Sequence, residues 1–212
     1  MDAPPLDPDP LSDYVAWAGH RNRDAILEEL GRHVPTEEGK ALEVATGSGM
    51  HISYFAPKFP AVSFLPSDKS ETTFEAIDQK RTGIPNVRAP VVLDLLDAST
   101  FPTVEKFDVI FGINIFQVAP LSVADGMMRC AAGALAPGGC LMVYGPFKVD
   151  GKFSTDSNAQ FDERLAVAGD PDWGLKDATD LDEAAITAGL VPKGRVPMPS
   201  NNFFLIYNLA TP

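Results

Sequence analysis

Cysteine is scarce in this 212-residue sequence, which carries only Cys130 and Cys140. Neither has a Cys or His neighbour at metal-ligand spacing, so no metal is expected. Both lie in apolar surroundings and are expected as buried, reduced thiols. Positive charge is also sparse: 17 Lys and Arg face 29 Asp and Glu, a net charge of −12. Such a surface repels phosphate backbones, and no basic cluster offsets it, so nucleic acid is not an expected partner. No apolar run approaches the ~20 residues of a membrane span, so no membrane partner is expected either. The start, Met1-Asp2-Ala3-Pro4-Pro5, has neither a basic n-region nor an apolar h-region, and a cytoplasmic location is expected.

What remains is the composition of a folded domain, 45% hydrophobic and 22% charged. Residues 1–12, acidic and rich in proline, read as a flexible tail, and residues 13–212 as one domain. Apolar residues at helical spacing (Ala25, Ile26, Leu30) predict a helix over 24–33. Strands are predicted at 40–45, 62–65, 91–95, 107–114 and 140–144, with helices at 50–58, 70–81 and 122–135 between them. The run Phe-Asp-Val-Ile-Phe-Gly-Ile-Asn at 107–114 suits a parallel strand buried on both faces. Five strand–helix alternations predict a mostly parallel sheet with helices on both faces. Residues 145–178, rich in Gly, Pro, Asp, Ser and Asn, read as an irregular lid. A short helix at 181–188 and strands at 191–196 and 203–209 close the chain, the last antiparallel. The expected fold class is α/β, a Rossmann-like seven-stranded sheet.

The first strand ends in the turn Glu43-Val44-Ala45-Thr46-Gly47-Ser48-Gly49. Gly47 and Gly49 let backbone approach a ligand. Asp68 ends the second strand about 20 residues on, where an acid accepts from ribose hydroxyls. Asp94 ends the third strand, placed to accept from an adenine amino group while the Leu95 N–H meets a ring nitrogen. Asn114 ends the fourth. Polar groups thus stand at four successive strand ends. A dinucleotide fingerprint would need a third glycine, but Ile52 occupies that position. The Lys-Ser pair of a nucleotide triphosphate loop is missing too. Glu43 can meet a cationic amino-acid group, which favours S-adenosylmethionine as cofactor.

Taken together, these residues resemble the methyltransferase-like proteins typified by methyltransferase-like protein 26 (domain of unknown function 938), over about residues 19–207. The matching segments are Arg21-Asn22-Arg23-Asp24, Leu42 through His51, Pro66-Ser67-Asp68, Ile113-Asn114 and Pro137-Gly138-Gly139. Tyr144-Gly145-Pro146-Phe147, Ser157-Asn158, Phe161-Asp162, Asp170-Pro171-Asp172-Trp173-Gly174 and Met198-Pro199-Ser200-Asn201-Asn202 continue the series. The resemblance implies a class I fold that binds S-adenosylmethionine and says little about substrate. Two positions depart from the pattern: Gln117 stands where a histidine is expected, and Met50 precedes His51 in place of a polar residue. Glutamine is no general base near neutral pH, so an altered pocket is expected, of the kind suited to specialised biosynthesis.

The expected cofactor residues are Arg23, Glu43, Ala45, Gly47, Gly49, Asp68, Asp94, Leu95 and Asn114. Methyl transfer needs an in-line nucleophile held near the methyl carbon in a dry site. His51, Tyr144 and Asn158 are the candidate catalytic groups. Phe116, Gln117 and Asn202 are the candidate substrate pocket. The expected partners are a small-molecule substrate and a second copy of the chain in a homodimer. The competing readings are a lyase, cyclase or pericyclase on the same scaffold, and a non-catalytic binding protein.

Overall fold

The computed structural model describes residues 3–210. Its seven-stranded sheet combines β1 (Gly39–Val44), β2 (Val62–Asp68), β3 (Val91–Val92), β4 (Phe107–Ile113), β5 (Leu135–Gly145), β8 (Leu190–Met198) and β9 (Asn202–Leu209). The order is β3-β2-β1-β4-β5-β9-β8, with β9 antiparallel to both its neighbours. The expected α/β class and mostly parallel Rossmann-like sheet are therefore present. The order in which strands are added reverses between the parallel neighbours β1 and β4, the crevice where such sheets bind ligands.

Side chains alternate across the sheet with period two and make two cores. Leu42, Val44, Ile110, Leu141 and Val143 face α4 (Ser122–Ala134) and α6 (Ala178–Thr187). Ala41, Val109, Phe111, Cys140 and Met142 face α1 (Asp13–Leu30) and α2 (Met50–Phe55). Ile26 and Leu30 anchor α1 with no exposed surface, and truncating either to alanine is expected to cost about 2–5 kcal/mol. Both cysteines are free and buried, and burial raises their thiols to about 12 and about 11, so neither forms a thiolate at neutral pH.

Several element boundaries differ from expectation. The first helix begins at Asp13, capped by the Ser12 hydroxyl accepting from the Val15 N–H at 3.2 Å, eleven residues before the predicted start. Its early apolar residues (Val15, Ala16, Ala18) are half-buried rather than part of the core, which blurs the periodicity. The helix predicted over 50–58 finishes in a 3-10 turn, Ala56–Lys58, and that over 70–81 starts in one, Glu71–Thr73, before α3 (Phe74–Arg81). The third strand keeps only Val91 and Val92. β5 starts at Leu135, because Pro137-Gly138-Gly139 lies within the strand at a register shift against β4.

Residues 145–178 are more ordered than an irregular lid. They hold a hairpin, β6 (Lys148–Val149) with β7 (Lys152–Phe153), and the 13-residue helix α5 (Asp156–Ala168). The α5 sequence is mostly polar, with Asn158 and Leu165 its only buried residues, so no strong stripe announces it.

Candidate active site

Three alternate residues of the turn after β1 have left-handed backbone: Ala45 at φ 53°, Gly47 at φ 59° and Gly49 at φ 77°. For an alanine this costs roughly 1–2 kcal/mol, so the surroundings must hold it. They do so through two hydroxyls. The Thr46 N–H donates to the Ser67 carbonyl at 2.8 Å, and the Thr46 hydroxyl accepts from the Ser67 N–H at 3.1 Å. Thr46 and Ser67 also both donate to the Glu43 carbonyl, at 3.2 and 2.8 Å. Sequence reading missed both braces, since hydroxyls at strand ends carry no distinctive spacing.

A cavity of about 430 Å³ opens over this turn at the carboxyl ends of β1, β2, β3 and β4. Glu43, Ala45, Gly47, Asp68, Asp94, Leu95 and Asn114 all line it, so seven of the nine expected cofactor residues converge. Each acid has an oxygen without a hydrogen-bond partner among the described residues. Asp68 accepts from the Gly47 N–H through Oδ2 at 2.9 Å, leaving Oδ1. Asp94 accepts from the Leu96 N–H through Oδ1 at 2.9 Å, leaving Oδ2. The Asp94 N–H goes to the Thr100 hydroxyl, and the Leu95 N–H between them has no acceptor among the described residues. Glu43 is 2% exposed, and its Oε2 has no hydrogen-bond partner among the described residues. Burial raises its carboxyl to about 8, the Thr46 hydroxyl opposing and the nearby Asp68 adding to the shift.

The remaining expected residues are placed differently. Gly49 caps α2 from beneath, where a Cβ would meet the Ile77 backbone at 3.1 Å; it shapes the turn without lining the cavity. The Arg23 guanidinium lies 4.2 Å from the Tyr54 ring centre, outside the cavity wall. Phe116 is buried in the core facing α4. Gln117 does line the cavity, and its amide donates to the Asn114 carbonyl at 3.0 Å.

Of the catalytic candidates only His51 reaches the cavity. Its Nε2 lies 2.9 Å from Asn22 Oδ1; with the amide oxygen accepting, Nε2 carries the proton and Nδ1 keeps its lone pair. Burial, then the charges of Arg23 and His20, lower His51 to about 4, so it is neutral at neutral pH. Tyr144 is buried at the end of β5 against Phe204, and burial pushes its phenol up to about 12 despite the nearby amides of Asn22 and Asn202. Asn158 donates to the Asn201 carbonyl at 3.2 Å and so pins α5 to the turn before β9. Asn202 closes that same turn by donating to the Pro199 and Ser200 carbonyls. Tyr144, Asn158 and Asn202 thus stand behind the cavity wall rather than in it.

No sequence signal marks the opposite wall. Leu6, Pro8 and Pro10, from the segment read as a flexible tail, line the cavity. Pro10 packs over the glycine turn, 3.3 Å from where a Gly47 Cβ would sit. Tyr14, Val15, Ala18 and Gly19 of α1 continue that wall. Gly19 fits because a Cβ there would collide with the Met50 side chain. Phe161, Leu165 and Trp173 close the far side.

A family model described as "Protein of unknown function (DUF938)" matches residues 13–209. The chain belongs to this family. The chain is similar in fold to solved methyltransferases at low identity. An O-methyltransferase family protein from Burkholderia thailandensis superposes with a TM-score of 0.78 at 19% identity, covering 94% of this chain and 58% of that one. Human N-acetylserotonin methyltransferase in complex with SAM gives 0.75 at 10% identity, covering 93% and 54%. CalO1, a methyltransferase in calicheamicin biosynthesis solved in its SAH-bound form, gives 0.70 at 17% identity, covering 93% and 55%. This DUF938 chain therefore shares their fold over little more than half their length.

Proposed function

We propose that this DUF938 protein transfers a methyl group from S-adenosylmethionine to a small molecule, in specialised biosynthesis. It would stand beside the proteins typified by methyltransferase-like protein 26. The observation that carries the reading is the unpartnered Glu43 Oε2, buried at a cavity that also receives free carboxylate oxygens from Asp68 and Asp94. Ionising a buried carboxyl without a partner is costly, so Glu43 holds its proton at neutral pH, and a cationic amino group against it would offset that cost.

The residues fit the cofactor in order. Glu43 would hold the amino end, Asp68 Oδ1 the ribose hydroxyls, and Asp94 with the Leu95 N–H the adenine edge. When bound, S-adenosylmethionine supplies a methyl carbon on a sulfonium. The chain's own part is to position the acceptor and exclude water. The apolar wall of Val15, Ala18, Phe161, Leu165 and Trp173 supports both.

His51 contributes as a neutral group. With its proton committed to Asn22, Nδ1 is left as a hydrogen-bond acceptor, and at about 4 it is a weak base. The nucleophile should therefore be one that is already free or readily ionised. The weakness of this base also favours the second reading, a lyase, cyclase or pericyclase on the same scaffold. Methyl-labelled S-adenosylmethionine incubated with candidate small molecules separates the two: label in the product supports transfer, and product formed without label contradicts it.

A further inference from the structure

The chain carries 29 acids against 17 bases, and four of its eight arginines pair with a carboxylate among the described residues. Arg32, Arg81, Arg88 and Arg195 each pair with an acid. Arg21 and Arg164 have no carboxylate within 4.0 Å among the described residues, although Asp13, Asp24, Asp162 and Glu163 are near them in sequence. Asp24 is engaged by the Tyr54 hydroxyl at 2.6 Å, and Asp162 accepts from the Leu175 N–H.

Neither arginine lines the cavity, but each stacks on an aromatic ring that lines it or packs against a ring that does. The Arg164 guanidinium lies 5.6 Å from the centre of Phe161, a cavity-lining ring. Arg21 lies 4.6 Å from the centre of Trp17, and Trp17 lies 5.9 Å from Tyr14, which also lines the cavity. Stacking orients a planar guanidinium and leaves its N–H edge available to a carboxylate; among the described residues the Arg21 edge donates only to the Ser200 hydroxyl, at 3.5 Å. The two come from opposite sides, α1 and α5, and both charges act on the Tyr14 hydroxyl, opposing the upward shift that burial gives it. Between them the wall is apolar: Val15, Ala18, Leu165, Trp173.

We propose that the acceptor is a small planar organic acid, its apolar body between Tyr14, Phe161 and Trp173 and its carboxylate met by Arg21 and Arg164 at the mouth. The assignment rests on the methyl-transfer reading only in calling this ligand the substrate. A carboxylate could also come from the cofactor, so the two sources must be separated.

The test is calorimetry on the full chain with S-adenosylhomocysteine, then on the saturated complex with 4-hydroxybenzoate, 1-hydroxy-2-naphthoate and their carboxamides. At least one acid should bind tenfold or more tightly than its amide. The preference should vanish in the double variant Arg21→Gln/Arg164→Gln and survive in Arg129→Gln, an exposed, unpaired arginine on α4. Circular dichroism checks that the variants fold. Equal affinity for acid and amide, no binding by any probe, or a preference that survives the double variant overturns the proposal. So does a tenfold loss of S-adenosylhomocysteine affinity in that variant, which would give the arginines to the cofactor. Failure of the wild-type chain to bind S-adenosylhomocysteine speaks against the cofactor reading instead, and the acid–amide comparison is then made on the unliganded chain.

Discussion

Asp68 and Gly47 are joined across the mouth of the sheet: the carboxylate accepts the glycine N–H at 2.9 Å through one oxygen and leaves the other to the cavity. The same side chain therefore shapes the turn and faces the cavity. Asp68→Ala removes both roles. It is expected to weaken S-adenosylhomocysteine binding at least tenfold and to destabilise the fold by about 1–3 kcal/mol. Calorimetry and denaturant titration measure the two effects. Unchanged affinity would contradict the ribose placement.

Glu43 is expected to couple cofactor binding to pH. Its carboxyl is raised from 4.5 to about 8, so the folded protein binds a proton that the unfolded chain has released. Stability should fall as pH rises through that interval, and Glu43→Gln should lose this dependence. A cationic amino group against Oε2 favours the ionised form. Binding of S-adenosylhomocysteine at pH 7 should then release close to one proton, and affinity should rise up to about pH 8 and level off. Calorimetry in buffers of different ionisation enthalpy counts the proton. The same release from Glu43→Gln would assign it to another group.

His51 has the opposite sign. Its imidazole is lowered from 6.5 to about 4, so between these values the unfolded chain binds the extra proton. Its contribution to stability is complete above about pH 6.5 and is lost as pH falls toward 4. The melting temperature of His51→Gln should change less than that of the wild type over this window. Equal acid sensitivity in the two proteins would place the titration elsewhere.

Gly126 on α4 packs directly on the loop that follows β3. A Cβ there would overlap the Leu95 carbonyl oxygen. Gly126→Ala is expected to cost about 1–3 kcal/mol through overpacking and to shift Leu95 by enough to lower cofactor affinity several-fold. Gly133→Ala on the same helix, where a Cβ meets nothing within 4 Å, should leave affinity intact.

The strand-end half of the cavity lining was legible in the sequence. Glu43, Asp68, Asp94 and Asn114 each follow a short apolar run, and a parallel sheet brings such ends together whatever the loops do. The wall made by α1, α5 and residues 6–10 was not. Tyr14, Val15 and Ala18 face a cavity rather than the core, so they leave a weak helical stripe, and α5 buries little more than Leu165. Thr155 as cap and Asp156 in the first turn were the available signals for α5, and both are residues that loops also favour. Tyr144, Asn158 and Asn202 were placed near the chemistry by their strand-end and loop positions. Backbone hydrogen bonds and burial instead commit them to holding β5, α5 and the turn before β9.

The central claim is that an adenosyl ligand lies across the tips of β1, β2 and β3. A crystal structure with S-adenosylhomocysteine tests it most directly. The account predicts ribose hydroxyls on Asp68, the purine edge at Asp94 and the Leu95 N–H, and the amino group on Glu43 Oε2. A ligand bound elsewhere, with Glu43 Oε2 still unpartnered, would contradict it.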